Sequence, residues 1–140
     1  YPIGATRFVT GEEPQALAAS ILWENGVDVQ SRFDAVFPGF RMNGLVSIRM
    51  CPWQEMTFHG EQGVMRLAAP FNAGTFGPAT LEIHRPDRSW MLERFTDAKQ
   101  YVLQVEAFGA TIRDGAPWPW PLETARGTQA MIDRIFAAAV

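Results

Sequence analysis

The sequence predicts an α+β domain, an open and largely antiparallel sheet with helices packed on one face. Three observations carry this reading. Apolar residues between Gln15 and Phe95 recur in short alternating runs, Asn, Gly and Pro separate the runs, and helical spacing appears at the two ends of the chain. At 140 residues there is room for one core-bearing domain and not comfortably for two, so residues 1–140 are read as one domain.

The first element is a short helix that begins on Tyr1 and stops at Gly11. Pro2 suits a first turn, where its missing N–H would have had no partner, Gly11 can take the left-handed cap, and Pro14 blocks resumption. Ile3, Phe8 and Ala5 are expected toward the core, with Thr6 and Thr10 facing away. Gln15 to Leu22, with Trp23 following, reads as a strand that turns at Glu24-Asn25-Gly26, because Asn-Gly supplies the positive φ angles of a tight hairpin. From Val27 to Phe37 the odd positions are apolar or small, with Asp28, Gln30, Arg32 and Asp34 on the other side, the pattern of a half-buried strand. Pro38-Gly39 turns the chain into a third strand, Leu45 to Met50, with Val46, Ile48 and Met50 as its apolar face.

Glu55 to His59 and Val64 to Ala68 continue the meander around Gly60 to Gly63. Residues 70–79 hold Pro70, Gly74, Gly77, Pro78 and two phenylalanines, which reads as a long loop, and loops of this length are often functional. Thr80 to His84 and Trp90 to Phe95 are two further strands around the turn Arg85 to Arg88. Two helices follow. Asp97 is expected to cap the first, along which Tyr101, Val105, Phe108 and Ile112 recur before Gly115. Pro117-Trp-Pro-Trp-Pro121 is a stiff extended connector. The last helix, from about Glu123 to Ala139, has Ala125, Thr128, Met131, Ile132, Ile135 and Phe136 as its inner stripe.

A net charge of −3 with no lysine or arginine cluster gives no electrostatic footprint for nucleic acid or an acidic membrane surface. The single Cys51 cannot form an internal disulfide, and the long uncharged run from Leu67 to Leu81 is broken by Pro70, Gly74, Gly77 and Pro78 and does not qualify for membrane insertion. Cytoplasm is the default location. The chain starts at a tyrosine inside what reads as a motif, which suggests a piece of a longer protein.

Tyr1-Pro-Ile-Gly-Ala-Thr-Arg7-Phe-Val-Thr-Gly11-Glu-Glu-Pro14 resembles the start of the second-domain helix in the glucose-fructose oxidoreductase, inositol dehydrogenase and rhizopine-catabolism family (Gfo/Idh/MocA). Gln100-Tyr101, Glu106 to Gly115 and Ala130 to Ala139 resemble the tail of that domain, so the likeness covers nearly the whole chain. The resemblance implies the C-terminal, substrate-binding and subunit-contact domain of an NAD(P)-dependent oxidoreductase. Its substrate would be a sugar, cyclitol, sugar derivative or dihydrodiol, and the glucose-fructose oxidoreductase and dihydrodiol dehydrogenase branches look nearest. Tyr1 would be the acid/base that takes the hydroxyl proton while hydride leaves the same carbon. A phenol with an ordinary pKa near 10 needs a neighbouring cation for this, and in the family that cation is a lysine of the nucleotide-binding domain. The loop around Phe71, Asn72 and Phe76 would shape the pocket. The partners implied are the protein's own N-terminal nucleotide-binding domain and a second copy of the chain, held through the open sheet face that carries Ala16, Trp23, Val36 and Cys51.

Other readings stand beside these. Arg7 either reaches substrate or ties its helix to the next loop through Glu12 or Glu13; the two phenylalanines of the loop either line a pocket or fold back as a satellite cluster; the tryptophans of the connector either dock on the other domain or pack on their own helices. Gly4 stands where the family commonly has asparagine or aspartate. His59 and His84 lack further ligands at metal-binding spacing, and no Gly-x-Gly-x-x-Gly, phosphate loop or Gly-x-Ser-x-Gly turn is present, so NAD or NADP is expected only in the parent protein and not on this chain alone. Two alternatives remain: a stand-alone, non-catalytic binding or dimerisation module, or a small complete enzyme using carboxylates such as Glu82 and Glu93, whose strand positions read as solvent-facing.

Overall fold

The computed structural model describes residues 1–97 and 99–140. Its elements are α1 (Pro2–Thr10), β1 (Ala16–Glu24), β2 (Val27–Val36), β3 (Arg41–Ser47), β4 (Glu55–Gly60), β5 (Gly63–Ala68), β6 (Ala79–His84), β7 (Trp90–Phe95), α2 (Gln100–Asp114) and α3 (Leu122–Ala137). The class is α+β and all strand ladders are antiparallel. The strands divide into two open sheets, ordered β1-β2-β3 and β4-β5-β6-β7. The chain forms two compact units: the first holds Tyr1–Cys51 with Pro119–Val140, the second Pro52–Trp118.

In the first unit α1 and α3 cover one face of the β1–β3 sheet, and the core is Ile3 of α1, Ala19 of β1, Phe33 and Ala35 of β2, Phe37, Met42 of β3, and Met131 and Ile135 of α3. The alternation read for β2 is correct: Val29, Phe33, Ala35 and Phe37 are buried, and the even positions lie on the other face. Asn25 and Gly26 have φ of 51° and 78°, the geometry of the predicted hairpin turn.

Phe33 pairs with Gly44 across the sheet, and a Cβ at position 44 would overlap its ring carbons. The ring therefore lies over the glycine backbone and is only 2% exposed. This locates β3 differently from the expectation. The strand starts at Arg41, and Met42 and Gly44 meet the core, whereas Val46, Ile48 and Met50 are exposed. The apolar side has the predicted parity, but the core ends at Gly44 because the ring fills the space there.

α1 also presents a different face. Ile3 is buried as expected, but Thr6 is 3% exposed and Phe8 69% exposed. Residues 3 and 8 are five apart, about 140° around a helix, so they cannot share a stripe, whereas 3, 6, 7 and 10 can. Phe8 instead lies 5.8 Å from the Trp120 ring. Trp23 likewise belongs to the helix side of its sheet, 5.9 Å from the Phe136 ring, after a register shift at Leu22/Trp23. At the sheet edge, Ala19 forms a parallel bridge with Ala139, and the Val140 N–H donates to the Ala19 carbonyl at 3.3 Å.

In the second unit the β4–β7 sheet has one half-buried apolar side, Met56, Phe58, Met65, Leu67, Leu81 and Ile83, and one polar side. α2 ends at Gly115 in the left-handed conformation, but its N-cap is Lys99, not Asp97, whose carboxylate accepts instead from the Thr96 hydroxyl at 3.3 Å. No residue of α2 is buried, so its apolar stripe is exposed. No helix among the described residues is long and apolar enough to cross a membrane.

Replacing Gly44 with valine is expected to displace the Phe33 ring and to lower the stability of the first unit by about 1–3 kcal/mol, while Phe33→Ala costs about 3–5 kcal/mol. Urea unfolding followed by tryptophan fluorescence measures both, and an unchanged midpoint in Gly44→Val would contradict this packing.

Candidate functional site

Tyr1 is the N-cap of α1, and its carbonyl accepts the first helical hydrogen bond from Ala5 at 3.1 Å. Its backbone is thereby rigid with the helix, while its side chain is 73% exposed. Gly11 closes the helix with φ of 67° and an N–H that bonds back to the Arg7 carbonyl.

Arg7 points inward between α1 and α3, with a side chain only 9% exposed. Its Nη1 donates to the Thr124 carbonyl at 2.6 Å and to the Thr128 Oγ1 at 2.7 Å. Nε donates to Glu13 Oε1 at 2.9 Å, and Nη2 forms an ion pair with the same oxygen. Of the two sequence readings for Arg7, this geometry supplies the structural one: the side chain ties α1 to the loop through Glu13, and also to α3, which sequence reading missed. Gly4 lies in the same crossing, where a Cβ would stand 3.7 Å from Thr128.

Phe71, Asn72 and Phe76 lie in the loop between β5 and β6, in the second unit, and all three are half-buried. Asn72 organises this loop. Its carbonyl accepts from the N–H groups of Thr75 at 3.1 Å and Phe76 at 3.3 Å, its own N–H donates to Gln54 Oε1 at 3.1 Å, and its Oδ1 accepts from the Tyr101 hydroxyl at 3.2 Å. Positive φ angles at Ala69, Gly74 and Gly77 make the bends. The roles of Gln54 and Tyr101 were not legible, because each is set by a contact 18 or 29 residues away.

The two tryptophans of the connector pack on helices of this chain. Trp118 meets Phe108 of α2 edge to face at 5.9 Å, and Trp120 meets Phe8 of α1.

On the polar side of the β4–β7 sheet, Arg66 is held by Glu55 at 2.7 Å and Glu82 at 3.5 Å, and Glu82 lies 3.5 Å from His84. Glu82 is therefore half-buried and ion-paired, not solvent-facing as its strand position suggested, because the cross-strand register sets it directly opposite Arg66. Glu93 is exposed. Among the described residues no group of three or more His, Cys, Asp or Glu side chains is placed to hold a metal ion. A shallow depression of about 250 Å³ on the outer face of the β1–β3 sheet is lined by Ala18, Ala19, Ser20, Arg32 and Asp34, and none of the predicted site residues borders it.

Two measurements follow from these contacts. Tyr101→Phe is expected to speed amide exchange at Thr75 and Phe76 about fivefold, without change in the β5 and β6 amides, since it removes a bond worth about 1 kcal/mol. The hydrogen bond from Arg66 holds the Glu55 carboxyl below its ordinary pKa. Stability from this pair is thus present above the unfolded pKa near 4.3 and is lost as pH falls through the folded value. Glu55→Gln is expected to flatten the acid limb of the second unit's unfolding curve and to cost no more than about 1 kcal/mol at neutral pH, because the pair is exposed.

No family model matches the chain. It is 30% identical over 146 aligned positions to an uncharacterised oxidoreductase, ORF334, of Rhizobium meliloti, covering 99% of this chain and 44% of the relative. The solved structure of UDP-N-acetylglucosamine 3-dehydrogenase GnnA from Acidithiobacillus ferrooxidans matches with a TM-score of 0.82 at 17% identity, over 99% of this chain and 44% of that protein. An oxidoreductase from Bacillus cereus matches with a TM-score of 0.68 at 14% identity, over 99% and 47%. The chain spans less than half the length of these relatives. The chain is thus related in sequence to part of an oxidoreductase and shares the fold of part of solved oxidoreductases.

Proposed function

We propose that this domain binds substrate and contributes the acid/base group in an NAD(P)-dependent dehydrogenase acting on the CH–OH group of a sugar, cyclitol or dihydrodiol. The observation that carries the reading is the sequence relation to an oxidoreductase over 99% of the chain, joined to the fold shared with a dehydrogenase that acts on a sugar nucleotide. A nicotinamide cofactor would accept hydride in such a reaction. The residues of this chain do not fit a dinucleotide: no Gly-x-Gly-x-x-Gly turn is present, and the strand ladders are antiparallel, whereas the usual cradle follows a parallel strand. Cofactor binding therefore falls to the nucleotide-binding domain of the parent protein.

This chain holds substrate and moves a proton. In the first unit the exposed Tyr1 side chain at the start of α1 takes the hydroxyl proton at its Oη; in the second, the loop of Phe71, Asn72 and Phe76 offers a substrate apolar surface and amide hydrogen bonding. Arg7 serves the site through the helix and not by contact. The outer face of a sheet is the surface for a second copy, and its exposed Leu22 and Leu45 beside Ala16 and Val36 suit that role in the first unit.

The test is a screen of the full-length protein with NAD and NADP against nucleotide sugars, free sugars, cyclitols and dihydrodiols, read as reduced nicotinamide formed. Tyr1→Phe is expected to lower kcat by about 10²–10⁴-fold with little change in KM. Sugar binding without turnover by the unmodified protein would favour the non-catalytic module instead.

A further inference from the structure

Gly127 lies in the middle of α3, where glycine is costly relative to alanine. A Cβ at that position would stand 2.8 Å from the Arg7 Cζ and closer still to Nη2, so the guanidinium rests against the bare backbone of α3. Thr124, about one turn before this seat, and Thr128, the residue after it, supply the two acceptors for Nη1. The planar fork thus meets a carbonyl, a hydroxyl and a carboxylate at fixed angles, an arrangement that an ammonium group cannot reproduce.

Ile3 and Thr6 hold α1 down on the core by burial. Burial is non-directional and leaves the helix free to roll or slide against α3. The seated fork removes that freedom. Tyr1 is six residues from Arg7 on the same helix, a lever of about 9 Å. A tilt of about 10° at the seat therefore moves Tyr1 by about 1.6 Å, and a displacement of about 1 Å at a reacting group can cost about 100-fold in rate.

We propose that Arg7, seated on Gly127, is the positioning residue that sets the place of Tyr1. The functional part of this inference rests on the acid/base reading of Tyr1; the mechanical part does not.

The experiment uses three variants of the full-length protein, Arg7→Ala, Gly127→Ala and the double variant, with ring-labelled tyrosine observed by NMR. In the native background Gly127→Ala is expected to lower Tm, because the new methyl group dislodges the fork. In the Arg7→Ala background it is expected to raise Tm, because only the gain in helix propensity remains. The Tyr1 ring signals should shift in both single variants. Additive Tm changes, or unmoved Tyr1 signals, would overturn the proposal whatever Tyr1 does chemically. In the dehydrogenase assay, kcat per folded enzyme should fall about 10- to 100-fold in Gly127→Ala with KM within about threefold. An unchanged kcat in an enzyme that Tyr1→Phe does inactivate would also overturn it. A silent Tyr1→Phe would count against the acid/base reading alone and leave the Tm and NMR tests standing.

Discussion

The first unit depends on one aromatic ring. Phe33 can be buried at the centre of β2 only because its neighbour across the sheet, Gly44, has no side chain. With the ring lying over β3, the face left for the helices is shallow enough for Met131 and Ile135 of α3 and Ile3 of α1 to close over it. A larger residue at 44 would raise the ring and push those helices outward. The positions of α1 and α3, and of everything they carry, thus descend from a missing methyl group.

On that platform α1 is held by two kinds of force. Burial of Ile3 and Thr6 keeps it down, and the bonds from Arg7 to Glu13, Thr124 and Thr128 give it direction. Asn72 plays the comparable part in the second unit, where one residue uses its carbonyl, N–H and side chain to organise a loop poor in regular structure. In both units a polar side chain converts a loosely specified segment into one with a defined shape.

Much of this was legible in the chain. Alternation along Val27 to Phe37, the Asn25-Gly26 turn and the glycine caps of α1 and α2 are local signals, and they appear where the periodicity places them. The errors share a cause: each concerned which neighbour a residue meets. Phe8 and Trp23 were read as strongly apolar and therefore as core or sheet-face residues, but aromatic partners on Trp120 and Phe136 accommodate them elsewhere. Val46 and Ile48 have the correct parity and lie beyond the reach of the core. Among the candidate residues, the family likeness pointed to Tyr1 and Arg7 in one unit and to the loop in the other, whereas the seat at Gly127 and the anchors Gln54 and Tyr101 come from distant parts of the chain that no periodicity links.

The bridge between Ala139 and Ala19 has a bearing on solubility. An outer strand such as β1 presents unpaired N–H and carbonyl groups along its free side, a template on which another polypeptide can add. Here the chain's own residues occupy the middle of that side, with Val140 donating to Ala19. Two short lengths of open strand are a poorer template than one long one, because an added segment would have to break register around the obstruction. The residues that follow α3 thus guard the sheet against runaway pairing, a service unrelated to any chemistry at Tyr1.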